Sequence, residues 1–102
     1  NLQIIFDPVN LLCVDNIDKQ DEIIEKAFEL LGDDIAVVHC KDYVVEGNEL
    51  KSIAAGTGSL NYPLLLKKVK EYKPYVHCTL ENTVPENAVA TREFMERTYA
   101  EV

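Results

Sequence analysis

Hydrophobic positions follow two patterns that alternate along the chain. Continuous apolar runs of strand length predict buried strands, whereas apolar residues spaced three or four positions apart predict one face of a helix. The runs occupy residues 2–6, 35–40 and 75–81, and the helical spacing occupies residues 21–31, 62–72 and 84–99. The pattern therefore predicts the element order β-α-β-α-β-α.

Strands that alternate with helices favour right-handed crossovers and a parallel sheet. The run over residues 35–40, Ile-Ala-Val-Val-His-Cys, has no alternating polar positions, which predicts a strand buried on both faces. No linker or low-complexity segment divides the chain. We therefore expect a single α/β unit built on a parallel sheet.

Local signals predict where the helices begin and end. Asp18 or Asp21 is a candidate cap for the first helix, and Gly32 suits the left-handed position that closes a helix. Residues 83–86, Thr-Val-Pro-Glu, have the spacing of a capping box at the start of the last helix. The inward positions of that helix are predicted to be Ala88, Thr91, Met95 and Thr98.

Composition narrows the classes of protein that the chain can represent. Its 102 residues, 47% of them hydrophobic, suit one domain with a buried core. Ten basic and 18 acidic side chains give a net charge of −8, which disfavours binding to a nucleic acid backbone. Charges interrupt every apolar stretch, so no membrane partner is expected, and three cysteines without a C-x-x-C pair favour a reducing cytoplasm.

Three candidate functional side chains lie near the ends of separate predicted strands. In parallel α/β folds such groups gather at the carboxyl ends of the strands. The residues are Asp7, His39 and Glu81, and strand alternation would put Ile35, Val37 and His39 on one face. If these faces point into a barrel, two carboxylates and an imidazole converge, and this donor set suits Mn²⁺, Mg²⁺, Co²⁺ or Zn²⁺.

Each candidate also has a purely structural interpretation. An aspartate before proline commonly caps a turn, which would explain Asp7, and a histidine that ends an apolar strand is commonly a hydrogen-bonded structural residue. Glu81 could be solvated. Lys41 could hold a substrate oxygen or could pair with Asp7 or Glu81, and Asp42 is predicted to face outward and bond a loop.

Two other motifs are weaker evidence for a functional site. His39-Cys40 and His77-Cys78 cannot each chelate one ion, because neighbouring residues on a strand face opposite sides. The cysteines are predicted to pack between sheet and helices. Residues 56–58, Gly-Thr-Gly, lack the lysine and the third glycine of nucleotide-binding loops, and Gly47 with Asn48 predicts a turn.

Four motifs in chain order resemble those of a known family. They are Phe6-Asp7-Pro8-Val9-Asn10, Val38-His39-Cys40-Lys41-Asp42, Gly56-Thr57-Gly58 before a tyrosine-led helix, and Leu80-Glu81-Asn82. In this order the chain resembles the xylose isomerase-like TIM-barrel family of sugar phosphate isomerases and epimerases. The resemblance covers almost the whole chain and implies that residues 1–102 are the last three units of a (β/α)₈ barrel, an incomplete single domain.

The resemblance also implies roles for individual residues. Asp7, His39 and Glu81 would be ligands of a divalent metal ion, and Glu81 would also transfer the proton between neighbouring carbons of a keto sugar or sugar phosphate. A further glutamate of the family would lie upstream of Asn1. The chain has Asn61 where the family often has an acidic residue, a difference expected at a helix cap.

Two alternatives stay open at the level of sequence. The same site could serve a polyol dehydratase or an endonuclease, although the excess of acidic over basic residues makes the endonuclease the weaker alternative. A chain with three parallel strands could instead be a non-catalytic α/β fragment, because three strands cannot close a barrel and leave exposed edges. Such a fragment would associate with a missing barrel half or with another copy of itself.

Overall fold

The computed structural model describes residues 4–72, 76–80 and 84–102. Its strands are β1 (Ile4–Phe6), β2 (Ile35–Cys40), β3 (Asp42–Glu46), β4 (Glu49–Ile53) and β5 (His77–Leu80), and its α-helices are α1 (Gln20–Leu31), α2 (Tyr62–Tyr72) and α3 (Ala88–Glu101). Short 3₁₀ helices cover Pro8–Leu11, Ile17–Lys19 and Gly32–Asp34. The predicted α/β order is confirmed, with an added hairpin between β2 and α2.

Strands β1, β2 and β5 form a parallel sheet in chain order. The helices pack on one face of this sheet, since α1 contacts α2 and α2 contacts α3. The Phe28 ring of α1 lies 5.2 Å from Phe6 of β1 and 5.8 Å from Tyr72 of α2. The hydrophobic core thus lies between the sheet and a single layer of helices.

The prediction that β2 is buried on both faces was wrong. Val38 and Cys40 are fully buried on the helix side, whereas Val37 and His39 are only half-buried. On the neighbouring strand Ile5 is 61% exposed. The sheet therefore has an uncovered face, and its apolar residues there remain partly in contact with solvent.

An irregularity in β2 changes which residues share a face. Ile4 pairs with Ile35 but Ile5 pairs with Val37, so Ala36 is an extra residue in the ladder. A bulge of this kind resets the alternation of side chains. Ile35 is consequently buried, at 2% exposure, and the prediction that it shares a face with Val37 and His39 was wrong.

The hairpin β3–β4 was missed by the sequence pattern, although its turn was not. Gly47 has a positive φ of 62° between the two strands, as the Gly47-Asn48 signal predicted. The strands pair in antiparallel register from Asp42 with Ile53 to Glu46 with Glu49. Their short mixture of polar and apolar residues has no clear period, which explains why no strand was predicted there.

Helix ends match the sequence signals only in part. Gly32 follows α1 with φ −50°, in right-handed geometry, so the left-handed closure was wrong; a Cβ at this position would lie 2.8 Å from the Tyr72 ring. The N-cap of α1 is Lys19, whose side chain makes no capping hydrogen bond, so the expected cap by Asp18 or Asp21 was wrong. Helix α3 begins at Ala88 rather than Val84. Its inward face was predicted correctly, with Thr91 and Thr98 buried.

Candidate functional site

The candidate site lies at the carboxyl edge of the parallel sheet. Asp7 directly follows β1 and Lys41 directly follows β2. One residue beyond the Phe6–Val38 pair, Asp7 comes level with His39 on the adjacent strand. Neighbouring strands lie roughly 5 Å apart. The strand order therefore puts two of the three predicted metal ligands at the same edge of the sheet, at the ends of neighbouring strands, while Glu81 lies outside the described residues.

Asp7 and Lys41 form an ion pair at this edge. Lys41 Nζ lies 3.1 Å from Asp7 Oδ2, and the two side chains are only 14% and 9% exposed. Lys41 Nζ also donates to Asn10 Oδ1 at 3.3 Å. Partial burial reduces screening by water and salt, so this pair is electrostatically stronger than one on the open surface. Of the two interpretations of Lys41, the ion pair with Asp7 is present.

Asp7 also has the capping role that its place before proline predicts. Its Oδ1 accepts a hydrogen bond from the Val9 backbone N–H at 3.1 Å, at the start of the 3₁₀ helix Pro8–Leu11. One carboxylate thus fixes both the loop after β1 and the side chain of Lys41. Since a carboxylate has about four lone-pair sites, these two bonds leave acceptor capacity on Asp7.

The donor chemistry at this edge is compatible with a divalent metal ion. Carboxylate oxygen and imidazole nitrogen are ligands for Mn²⁺, Co²⁺ and Zn²⁺, and carboxylate oxygen also suits Mg²⁺. Among the described residues, no group of three or more histidine, cysteine, aspartate or glutamate side chains is placed to hold an ion. Asp7 and His39 supply two of the three donor groups that the sequence predicts for an ion, and the third, Glu81, lies outside the described residues.

Asp42 is the residue whose surroundings differ most from expectation. It is 1% exposed, not outward-facing. Its Oδ1 accepts hydrogen bonds from the backbone N–H groups of Tyr43 and Leu60, both at 2.8 Å, and its Oδ2 accepts from those of Gly56 and Gly58, both at 3.0 Å. The prediction that it bonds a loop is confirmed. These bonds hold residues 56–60 next to the end of β2.

The glycine loop thus has a structural explanation. A Cβ on Gly58 would lie 2.2 Å from the Tyr43 carbonyl oxygen and 2.8 Å from Asp42 Oδ1. Only glycine lets the loop approach the carboxylate this closely. The Gly-Thr-Gly sequence was the signal that could have identified the role of Asp42, because glycines allow several backbone N–H groups to converge on one acceptor.

Gln20 and Asn61 connect this loop to the helices. Gln20 Nε2 donates to the Ser59 carbonyl at 3.0 Å and to Tyr43 Oη at 2.9 Å, while its Oε1 accepts from Asn61 N–H at 2.9 Å. Asn61 Oδ1 accepts from Leu64 N–H at 3.2 Å in the first turn of α2. The expectation that Asn61 is a helix cap is confirmed. Gln20 was not recognised from the sequence.

Tyr62 supports the end of β2 from within the core. Its hydroxyl donates a hydrogen bond to the Lys41 carbonyl, and its ring is 1% exposed. Burial raises the pKa of Tyr62 far above its ordinary value, with further contributions from Cys40 and Asp42. Tyr62 is therefore a neutral hydrogen-bond donor at physiological pH, and it fixes the backbone of the residue that pairs with Asp7.

The cysteines do not form a metal site with their neighbouring histidines. Cys40 is fully buried on the helix side of β2, whereas His39 is half-buried on the other side, as strand alternation predicts. Cys13 and Cys78 are exposed, so only Cys40 is fully buried as expected, although Cys78 pairs with Val38 and shares the helix side of the sheet with Cys40. A side-chain hydrogen bond with Cys40 lowers the pKa of Cys78.

Comparison with known proteins adds no assignment. No protein-family model matches the chain, and neither curated proteins nor solved structures show a significant similarity to it. In the described part of the chain, every helix is too short or too polar to span a bilayer. The chemistry of the site must therefore be argued from its own residues.

Proposed function

We propose that the protein, in its intact form, is a divalent-metal-dependent isomerase or epimerase of a keto sugar or sugar phosphate. The observation that carries this proposal is the Asp7–Lys41 pair, 3.1 Å apart and level with His39 at the carboxyl edge. Parallel strands in chain order with helices on one face are also the arrangement of a (β/α)₈ barrel wall. This supports the proposal that the chain is part of such a barrel.

Asp7 and His39 are proposed to hold the metal ion together with Glu81. When bound, the ion would supply electrostatic stabilisation to oxygens that gain negative charge during proton transfer. Lys41, which pairs with Asp7 and donates to Asn10, is proposed to donate a hydrogen bond to a substrate oxygen at the same edge. Both cationic groups would then favour a transient enediolate.

Glu81 is proposed to move the proton. In the sequence it follows Leu80, the last residue of β5, and β5 is the strand next to β2. As a general base it would remove the proton from the carbon beside the carbonyl and, in an isomerisation, return it to the neighbouring carbon. An epimerisation would need a second group on the opposite face, the role of the further glutamate that the family resemblance implies. One carboxylate can serve in both roles, because its two oxygens offer about four acceptor sites and the ion would take only part of them.

Solvent exchange tests the proposed reaction directly. The intact protein is incubated in D₂O with Mn²⁺ or Mg²⁺ and a panel of ketoses and ketose phosphates, and mass spectrometry measures deuterium incorporation at carbon. We expect exchange with at least one sugar, and a rate lowered about 10²–10⁴-fold in Glu81→Gln. The conservative variant Glu86→Gln is the control. Absence of exchange across the panel, or an unchanged rate in Glu81→Gln, would contradict the proposal.

A second candidate function, association through open sheet edges, is favoured by the exposure of β5. Strands β1 and β5 are the two edges of the parallel sheet in the described chain, and His77, Cys78 and Thr79 are all exposed. Unpaired strand edges commonly recruit a further strand. Analytical ultracentrifugation distinguishes the cases: a dimer or larger species supports association, and a monomer at high concentration contradicts it.

The proposed setting is the cytoplasm, with a small sugar as the main partner and either a missing barrel half or a second copy as a protein partner. Cys13 and Cys78 are exposed thiols outside any disulfide, which is compatible with a reducing compartment. The net charge of −8 supports a partner other than nucleic acid.

A further inference from the structure

A cleft lies beside the candidate site, between the loop after β1 and the hairpin β3–β4. Its volume is about 710 Å³, within the range of small-molecule sites. Asn10 lines the cleft and also accepts the hydrogen bond from Lys41. Asn10 thus connects the cleft to the Asp7–Lys41 pair, and a molecule whose reacting end lies at the carboxyl edge could extend into the cleft.

The lining combines polar groups with an apolar wall. Asn10, Asn48 and Ser52 offer groups that both donate and accept hydrogen bonds, and Asp15 and Glu49 offer acceptors. Hydroxyl groups, which donate and accept in the same way, are the natural complement. The apolar part of the lining consists of Val9, Leu12, Val14 and Leu50, which suits the C–H face of a sugar.

The charge of the lining argues against a phosphate group. The described residues that line the cleft include two carboxylates and no lysine, arginine or histidine. Lys51, which lies between the lining residues Leu50 and Ser52, pairs instead with Glu46 at 3.7 Å. The charged groups among these lining residues are both negative, so a dianionic phosphate in the cleft would be repelled by Asp15 and Glu49, which is costly where water is partly excluded.

We infer that this cleft binds the unphosphorylated polyhydroxyl portion of the substrate, so that the protein acts on a free sugar in preference to a sugar phosphate. The inference rests on the proposed function for its reaction, but binding in the cleft is independent of turnover. Glu49 and Asp15 are then specificity-determining residues, since they exclude a phosphate ester and accept hydrogen bonds from sugar hydroxyls.

Titration followed by amide NMR tests the inference without requiring catalysis. D-fructose and D-ribulose are each compared with the ester phosphorylated at the terminal carbon, first without added metal. We expect both free sugars to shift the amides of residues 9–15 and 48–52 and to bind at least about tenfold more tightly than their esters. A preference for the esters, or shifts that avoid both segments, would overturn the inference.

A charge reversal provides the matched variant. Glu49→Lys replaces an exposed acceptor in the cleft, and Glu29→Lys makes the same charge change on the exposed face of α1. We expect Glu49→Lys to reduce the preference for free sugar by at least about fivefold and Glu29→Lys to change it less than about twofold. Equal effects of the two variants would show that overall charge, not the cleft, sets the preference.

The two proposals can fail separately. Sugar binding in the cleft without metal-dependent deuterium exchange would refute the isomerase and retain the cleft as a sugar site. Deuterium exchange that is faster with sugar phosphates than with free sugars would retain the isomerase and refute the assignment of substrate.

Discussion

Asp42 is the single residue on which the loop beside the candidate site depends most. Its carboxylate is buried without a cationic partner among the ion pairs of the described chain, and four backbone N–H groups satisfy it instead. Charge-assisted hydrogen bonds of this kind are stronger than neutral ones. The residue therefore fixes residues 56–60, which in turn meet α1 through Gln20.

Substituting Asp42→Asn should destabilise the fold. The new amide keeps one acceptor oxygen but replaces the other with an NH₂ donor, so two backbone N–H groups lose their partner. We expect the free energy of unfolding to fall by about 2–4 kcal/mol in urea denaturation. The exposed Asp18→Asn is the control, with a change below about 0.5 kcal/mol. A loss for Asp42→Asn as small as that of the control would contradict this role.

Tyr62 makes stability sensitive to alkaline pH. Its pKa is raised in the folded state, chiefly by burial, so above the ordinary tyrosine pKa near 10 the unfolded chain releases a proton that the folded chain keeps. The contribution of Tyr62 to the free energy of unfolding is therefore fully present below pH 10. It falls by up to about 1.4 kcal/mol per pH unit as the pH rises from there toward the pKa of Tyr62 in the folded state.

Urea denaturation between pH 9 and pH 11.5 measures this effect. Tyr62→Phe should be less stable than the wild type at pH 8 by about 1 kcal/mol, because the Lys41 carbonyl loses its donor. Its stability should nevertheless fall less steeply above pH 10. Parallel pH profiles for the two proteins would show that Tyr62 does not supply the alkaline sensitivity.

At the scale of secondary structure, the three helices act as one layer that covers the sheet from a single side. Phe28 lies at the centre of this layer, at 1% exposure, with its ring against Phe6 of β1 and Tyr72 of α2. The opposite face keeps His39 and Ile5 near solvent. The helices therefore stabilise the sheet without covering the face next to the candidate ligands.

Phe28→Ala should remove the contact that joins α1, α2 and the sheet. Loss of a buried aromatic ring leaves a cavity, and we expect a destabilisation of about 3–5 kcal/mol in urea denaturation. Leu30→Ala on the same helix is the control, since Leu30 is 69% exposed, and should cost less than about 0.5 kcal/mol. Similar losses in the two variants would contradict the packing described for α1.

Local periodicity predicted the elements better than it predicted their connections. The bounds of α2 and β2 agree with the apolar pattern, because burial against one partner imposes a regular spacing. The bulge at Ala36 and the hairpin depend on pairing with distant residues and have no period of their own. Asp42 bonds groups up to 18 residues further along the chain, so its own neighbours in sequence do not predict this role, and only the distant glycine loop hints at it.

At the scale of the whole molecule, the order of the strands brings the residues of the candidate site together, which the sequence alone could only suggest. Asp7, His39 and Lys41 lie at one edge, because β1 and β2 are parallel neighbours and the strands follow one another in the sheet in chain order. The ion pair of Lys41 was one of two interpretations that the residue types allowed, and only the three-dimensional arrangement selects it. The uncovered face and the two sheet edges leave room for further elements or a partner.

The central claim is that Asp7 and His39 belong to a metal site at this edge, and calorimetric titration with Mn²⁺ tests it most directly. The wild-type protein should bind one ion, and His39→Ala should weaken binding at least about tenfold, a loss seen even for groups that only orient a ligand. His77→Ala, on exposed β5 away from the carboxyl edge, should bind like the wild type. Absence of binding, or equal affinity in wild type and His39→Ala, would contradict the claim.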